Sequence, residues 1–412
     1  GPAAVTQRLW TGLDKFTLVA IPLFILTGEL MSGSGILMRL LDFARLIVGR
    51  IKGALLYINI TVSMLFGGVN GSAIADTSAV GSMLIPATKR EYKDAELAAA
   101  VTAVSSIVGP IIPPSLPMLI YAFAAANVSV AALFLSGIVP GILLGVSMMV
   151  VTFFITRKKD YPVDETKYTL GDIFKIIRRF IVAAVLPIIM VVGIAGGIVT
   201  PTEAGCIGVV YALIIGFFVT KELTFDAVYR AMLRTVIVTA IVLIMVSVGN
   251  VTTWWLSVEG LPSMVSSLFQ SITESPYVFL FLMLLLYWFV GLFIEQAAAM
   301  IMLVPIFAPL AMNYGIDPVH FGLFTCLALA IGLVTPPVGL CLFVSSSIAK
   351  VSLARVFKAA IPYLVAMSIV LLLVTFFHKF IYGCRRYLVC RATLTRNECI
   401  VYTLLNRVYF LL

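Results

Sequence analysis

The chain reads as an all-α polytopic membrane protein in which each half carries a re-entrant helical hairpin and a broken helix, the two halves being inverted repeats. Three observations predict this. The 412 residues are 61% hydrophobic and only 11% charged, against about 45–50% and about 25% in a soluble domain. Apolar runs near the roughly 20 residues that a span requires recur along the chain. Gly- and Pro-rich clusters interrupt such runs in both halves. Disorder, a disulfide scaffold and a cytosolic enzyme are excluded by the same composition.

The elements follow in order. Residues 16–34 form the first span. Residues 35–52 carry Arg39, Asp42 and Arg45 along one helical face among Leu, Phe and Ile, which predicts a helix lying in the membrane interface. The stretches 54–69 and 72–87 are each short for a span and are split by Gly67-Gly68-Val69-Asn70-Gly71-Ser72, so a hairpin is expected there. The run 95–126 is opened by Gly109-Pro110-Ile111-Ile112-Pro113-Pro114-Ser115, because proline lacks an N–H and clashes with the preceding turn. Spans follow at 131–156, 181–199, 203–220 and 231–250, with 157–180 as a long basic loop. The stretch 251–275, with Trp254 and Trp255, reads as a second interfacial element. Apolar halves 276–293 and 296–312 flank Glu295-Gln296. The run 319–349 is broken at Gly332-Leu333-Val334-Thr335-Pro336-Pro337, and 355–377 is the last span.

An internal repeat underlies this order. NVSVAALF at 127–134 matches KVSLARVF at 350–357, and the same offset of 223 pairs Pro113-Pro114 with Pro336-Pro337, Phe66 with Phe289, Gly68 with Gly291, Pro86 with Pro309, Asp94 with Asp317 and Gly109 with Gly332. Five crossings separate the equivalent first spans of the halves, so the second half is upside down. The distribution of Lys and Arg agrees. Segments 88–94, 157–180, 221–230 and 350–358 are basic and are expected on the cytoplasmic side, whereas 127–130, 200–202, 251–275 and 313–318 hold no Lys or Arg. The formal charge of +9 is therefore a membrane signature and not a nucleic-acid one. The tail 378–412 breaks the alternation, with six basic residues against Glu398. It reads as an added or out-of-frame extension. Cys384, Cys390 and Cys399 lie in the tail, Cys206, Cys326 and Cys341 in apolar segments, without disulfide or metal spacing.

Inverted repeats with hairpins and discontinuous helices are the pattern of secondary transporters. Unwound backbone survives in a membrane only where protein or a cavity receives it. Half-helix ends then offer carbonyls to a cation or N–H groups to an anion. Two related cation sites are predicted, with the substrate between them. The first comprises Gly68, Asn70, Ser72, Ser105 and Gly109. The second comprises Gly291, Glu295, Gly332 and Thr335. Asp76, Ser106, Pro113, Pro114, Pro336 and Pro337 are assigned to the substrate region. The competing reading is that the hydroxyls bond back to helix carbonyls and that Asp76 is a buried acid bonded to backbone. Glu29 and Glu203 read as caps or interfacial groups, the methionines near 148 and 300–312 as core, and His320 and His378 are given no role. No nucleotide-binding P-loop, H-E-x-x-H metal motif or potassium filter is present.

Several long segments, IPLFILTGELMSGSGI (21–36), NGSAIADTSAVGSMLIP (70–86), SSIVGPIIPPSLPMLIY (105–121), GIVTPTEAG (197–205) and VTPPVGLCLFV (334–344), resemble the large membrane subunit of TRAP (tripartite ATP-independent periplasmic) transporters. The resemblance covers about 7–377. It implies an elevator-type carrier in the cytoplasmic membrane of a bacterium or archaeon. Sodium ions are the implied coupling ions, at the two cation sites only, with no other cofactor and no enzymatic activity. The implied partners are a small TRAP membrane subunit, a periplasmic substrate-binding protein and the lipid bilayer, with no nucleic acid. The cargo would be an organic acid anion such as a dicarboxylate or sialic acid. By the resemblance, 1–52 and 231–275 are scaffold and 53–138 and 276–360 are the mobile transport repeats. Residues 139–230 hold further spans and the basic loop, with the last span at 355–377. The family begins with one more apolar segment and ends differently from 378–412. A truncated or damaged non-transporting subunit is therefore a competing expectation, as is a channel-like relative built on the same repeat. The leading Gly1-Pro2 reads as a cleavage scar.

Overall fold

The computed structural model describes residues 2–125, 128–163 and 168–377, and every regular element among them is helical. The expectation for the 378–412 tail, and His378 with it, lies outside the described residues. The helices are α1 (Pro2–Leu13), α2 (Ala20–Gly33, after a 3-10 turn Phe16–Val19), α3 (Ile36–Val48), α4 (Ala54–Asn70), α5 (Ala73–Tyr92), α6 (Ala95–Ser106), α7 (Leu116–Ala124), α8 (Val130–Arg157), α9 (Leu170–Ala195), α10 (Pro201–Ile214), α11 (Phe225–Val258), α12 (Leu261–Ile272), α13 (Pro276–Gly291), α14 (Gln296–Asn313), α15 (Pro318–Gly332), α16 (Leu340–Ala349) and α17 (Leu353–Phe376). Seven segments are long and apolar enough to cross a bilayer, or eight if the pair α12–α13, bent by 119°, counts as one more. The chain is a multi-pass membrane protein.

The repeat is visible in where helices start. The starts of α5, α6 and α8 recur 223 residues later as those of α14, α15 and α17 (73 to 296, 95 to 318, 130 to 353). Capping residues explain the register. Asp94 accepts the Leu97 N–H at 3.1 Å, and its counterpart Asp317 accepts those of Val319 and His320 at 2.8 and 3.0 Å. Such caps satisfy N–H groups that a helix start leaves open.

Helices α4–α8 and α13–α17 form an inner group. Both α6 and α15 are buried over nearly their whole length. The half-helix beyond each break crosses into the other repeat: α7 packs on α14 and α15, and α16 on α5 and α6. Lys89 at the end of α5 donates to the Ala349 carbonyl of α16 at 3.0 Å, and Tyr121 of α7 donates to the Pro318 carbonyl of α15 at 2.9 Å. The outer helices pack mainly on one another, α1 on α11, α2 on α10 and α11, and α3 on α9. They meet the inner group chiefly where α2 and α3 touch α4 and where α11 touches α14.

Three expected boundaries move. Helix α9 begins at Leu170 instead of 181, because Thr169 and Asp172 close a capping box that starts the helix inside the basic stretch. Trp254 and Trp255 belong to the end of α11, which runs to Val258, and the separate amphipathic helix is α12 alone. Ahead of the first span, α1 is an additional helix docked on α11, where Ser247 and Asn250 donate to the Leu9 and Arg8 carbonyls at 2.9 and 2.8 Å. Glu203 caps α10 in a box with Thr200, and Glu29 pairs with Arg234 of α11 at 3.5 Å.

At the basic end of the inner group, Asp94 also accepts from Lys159 and from Tyr161 at 2.8 Å, and Tyr161 stacks on Tyr92. Burial by itself would raise the Asp94 carboxyl, but the Lys159, Tyr161 and Leu97 donors outweigh it and hold it below the ordinary carboxylate range. A depressed folded-state pKa contributes stability above the unfolded value, lost as pH falls through the folded one. Asp94→Asn keeps a capping side chain and removes the charge. It is expected to destabilise the purified chain at pH 7 by roughly 1 kcal/mol, given partial solvent screening. The gap should close as pH falls below about 4, as read by thermal unfolding in detergent.

Candidate functional site

Each hairpin tip meets the break of its own repeat, backbone against backbone. Helix α4, with 17 residues, is about 25 Å long, short of the roughly 30 Å hydrocarbon core. Its C-terminus turns at Gly71, whose φ of +63° is a left-handed value that glycine adopts without strain. A Cβ on Gly67 would stand 2.4 Å from the Gly109 Cα, one on Gly68 3.1 Å from the Pro113 carbonyl oxygen, and one on Gly71 3.2 Å from that of Pro114. At the second tip, a Cβ on Gly332 would stand 2.6 Å from the Cα, C and O of Gly291. Both prolyl–prolyl bonds, Pro113–Pro114 and Pro336–Pro337, are cis.

The two constellations differ in access. Pro113 and Pro114 are buried. Pro336 is half-buried, and Pro337 and Val338 are exposed, as is the tip stretch Phe293–Glu295. Helix α8 accounts for the difference. Its Gly137, Gly141 and Gly145 recur every four residues, and Cβ atoms there would lie 2.4, 2.4 and 2.2 Å from the Ile111 carbonyl oxygen, the Ile112 side chain and the Met64 sulfur. Small residues at this spacing let backbones approach closely. The first break sinks into that groove. The repeat-equivalent of Gly137 is Ala360 on α17, so the second break has no such groove.

Side chains of the first site divide into three groups. Asn70 turns toward α2, its Oδ1 3.1 Å from where a Cβ on Gly28 would stand. Ser72 caps α5, accepting the Ala75 N–H at 3.5 Å. Ser105 does not reach the tip. It bonds Asn59 and Ser63 of α4 at 3.1 Å each, because it lies on the α4-facing side of α6. Ser106 donates to the Thr102 carbonyl at 2.7 Å. Asp76, one turn into α5, is fully buried, and neither carboxylate oxygen has a hydrogen-bond partner. Ser63 and Ser106 flank it; the Ser106 hydroxyl is committed to the Thr102 carbonyl, and the Ser63 oxygen accepts from Ser105.

In the second site, Glu295 is the repeat-equivalent of Ser72 (295 against 72) and caps α14, accepting from Ala297 and Ala298 N–H at 2.8 and 3.2 Å. Thr335 donates back to the Ile331 carbonyl at 2.9 Å. Gln296, buried behind the tip, donates to the Cys326 carbonyl at 2.9 Å. Cys341, at the start of α16, is buried and lies within electrostatic reach of both Asp76 and Glu295.

Sequence reasoning missed Gly67, Ser63, Asn59 and the α8 glycines. The glycine spacing 137, 141, 145 was the available signal for the last. Nothing in a linear pattern marks Gly67 over Gly68. Beside the Asp76 carboxylate the oxygen-bearing side chains are Ser63 and Ser106, while the Pro113 and Pro114 carbonyls face the tip glycines Gly68 and Gly71. Among the described residues, no group of three or more His, Cys, Asp or Glu gathers to hold a transition metal.

The fold and site define a polytopic membrane transport protein. The chain belongs to the family described as tripartite ATP-independent periplasmic transporter, DctM component, whose model matches residues 2–380. It is 39% identical over 374 residues to the sialic acid TRAP transporter large permease protein SiaM of Vibrio cholerae, covering 91% of this chain and 87% of that one. It is 34% identical over 369 residues to the C4-dicarboxylate TRAP transporter large permease protein DctM of Pseudomonas aeruginosa, covering 90% and 86%. The crystal structure of the Alcanivorax borkumensis YdaH transporter shares the fold, with a TM-score of 0.65 at 16% identity over 92% of this chain and 89% of that one.

Glycine contacts give a graded prediction. Gly67→Ala and Gly332→Ala place a methyl against backbone and are expected to cost about 1–3 kcal/mol each. Gly68→Ala and Gly291→Ala, whose nearest atoms would be 3.1 and 3.2 Å away, should cost less. Thermal unfolding of the four variants checks the order, and a Gly67→Ala chain as stable as Gly68→Ala would contradict it.

Proposed function

We propose that this chain is the sodium-driven carrier subunit of a tripartite transporter that moves a small organic acid anion across the cytoplasmic membrane of a bacterium or archaeon. A periplasmic binding protein delivers the anion, and a small membrane subunit completes the complex. The similar proteins named for sialic acid and C4-dicarboxylate support a carboxylate cargo. The hairpins are re-entrant, and the inner helix group moves against the outer one as an elevator.

The observation that carries this reading is Asp76. An ionised carboxylate buried without a partner costs several kcal/mol, and an ionisable residue inside a membrane is functional by default. A sodium ion beside Asp76, with the flanking Ser63 and Ser106 hydroxyls as further oxygen donors, removes that cost. Tip and break close on each other only when the charge is balanced, which couples ion occupancy to movement. The second site, open along Phe293–Glu295 and Pro336–Val338, is where the anion approaches.

Thermal unfolding in detergent, with sodium exchanged for potassium at constant ionic strength, tests the proposal. At ten times its dissociation constant sodium stabilises by RT ln 11, about 1.4 kcal/mol. The shift is expected in the native chain and lost in Asp76→Asn, while Asp76→Asn melts no lower than the native chain in potassium. A well-folded native chain that melts alike in both salts refutes sodium coupling.

A further inference from the structure

Two cavities open between the outer and inner helix groups, and neither is lined by a residue of the tips or breaks. One, of about 180 Å³, is lined by Lys15, Asn250 and Thr253 among apolar residues of α2, α7, α11 and α14. The other, of about 450 Å³, lies where α7 and α9 end and α8 and α10 begin, and is lined by Lys15, Thr17 and Ser129 among apolar side chains. Lys15 and Phe123 line both. Among the described residues, the Lys15 ammonium makes no hydrogen bond or ion pair.

The position of this lysine is unusual for its charge. Every other Lys and Arg in residues 2–377 except Arg8 falls within 39–52, 89–93, 157–179, 221–234 or 350–358; the last four stretches are on the side assigned to the cytoplasm, and Lys52 pairs with Asp160 of that side at 3.5 Å. Arg8 lies 5.7 Å from the Trp254 ring, a cation–π contact. The opposite, outer side carries Asp14, Glu203, Glu259, Glu274 and Asp317. Of the two cations on this face, Lys15 is the one that stands, solvent-exposed, at the junction of two clefts with largely apolar walls. Low-dielectric walls focus the field of such a charge into the cleft.

We infer that Lys15 is the outer capture point for the transported anion: its ammonium receives the carboxylate released at the outer face and holds it at the boundary between the helix groups before it reaches the tips. The inference rests on the carrier reading above and adds a binding residue to it. Asn250 and Thr253 in the smaller cleft, and Thr17 and Ser129 in the larger, supply neutral hydrogen-bonding groups beside the charge. Neither cleft is lined by an Asp or Glu.

The test is uptake by the complete tripartite transporter in proteoliposomes under a sodium gradient, with N-acetylneuraminate and succinate as probes. Lys15→Gln is expected to raise the half-saturating concentration about tenfold with maximal rate within about twofold, as one charge pair is lost. Lys15→Arg should restore it, and raised ionic strength should narrow the difference. Unchanged half-saturation in Lys15→Gln, or equal loss in Lys15→Arg, overturns the inference. If the native transporter accumulates neither probe, the carrier reading is what fails, and a second measurement decides on Lys15. Replacing chloride by succinate at fixed ionic strength should then raise the melting temperature of the purified native chain and of Lys15→Arg but not of Lys15→Gln. The same response in all three overturns the capture point.

Discussion

The contact on which the rest of this structure depends is glycine backbone against glycine backbone, Gly67 on Gly109 and Gly291 on Gly332. A chain inside a bilayer has no water to satisfy exposed N–H and C=O groups. Two broken helices are therefore tolerable only if something covers the unwound turns. A hairpin tip does so only when neither surface carries a side chain. Removing those four side chains lets tip and break share one surface, and the half-helix past each break is then free to cross into the other repeat. The crossing of α7 and α16 ties the halves together at points far from the tips, through Tyr121 on Pro318 and Lys89 on Ala349.

The same low dielectric that forces this packing gives Asp76 its meaning. In water a carboxylate without a hydrogen-bond partner is an ordinary surface group. At full burial it is an imbalance that a bound cation or proton must settle. The repeat places Glu295, 219 residues after Asp76, one turn earlier on the equivalent helix, at the cap position. There its charge is met by the α14 N–H groups. One acid is thus satisfied by the protein and the other is not, although they occupy neighbouring positions on equivalent hairpins. The asymmetry extends to the breaks. The α8 glycine groove buries the first, and the second, against Ala360, stays partly open.

Much of the fold was legible from residues alone. The starts at Ala73, Ala95 and Val130 and the repeats at Gln296 and Pro318 follow from capping residues and Gly/Pro breaks, which are local signals. The candidate site was legible as a pair of tips and breaks, and less so in its members. Ser105 was read as a tip ligand because it adjoins the break in sequence, but the helical rotation of α6 points it at Asn59 and Ser63. Gly68 aligned with Gly291 at the repeat offset, yet Gly67 makes the closer approach, since the first tip is one residue out of step with the second. Helix α9 was placed late because basic residues were read as loop, whereas a capping box starts a helix regardless of the charges that follow.

What the sequence by itself determined is the membrane class, the internal repeat, the four interruptions and the family. Composition, periodicity and the backbone chemistry of Gly and Pro act locally and survive in linear order. What only the tertiary structure decided is which backbone atoms meet, which hydroxyls are already committed, that Asp76 has no partner, and that Lys15 stands at the junction of two clefts. These depend on the rotation of each helix about its axis and on neighbours hundreds of residues away, and no local rule fixes either.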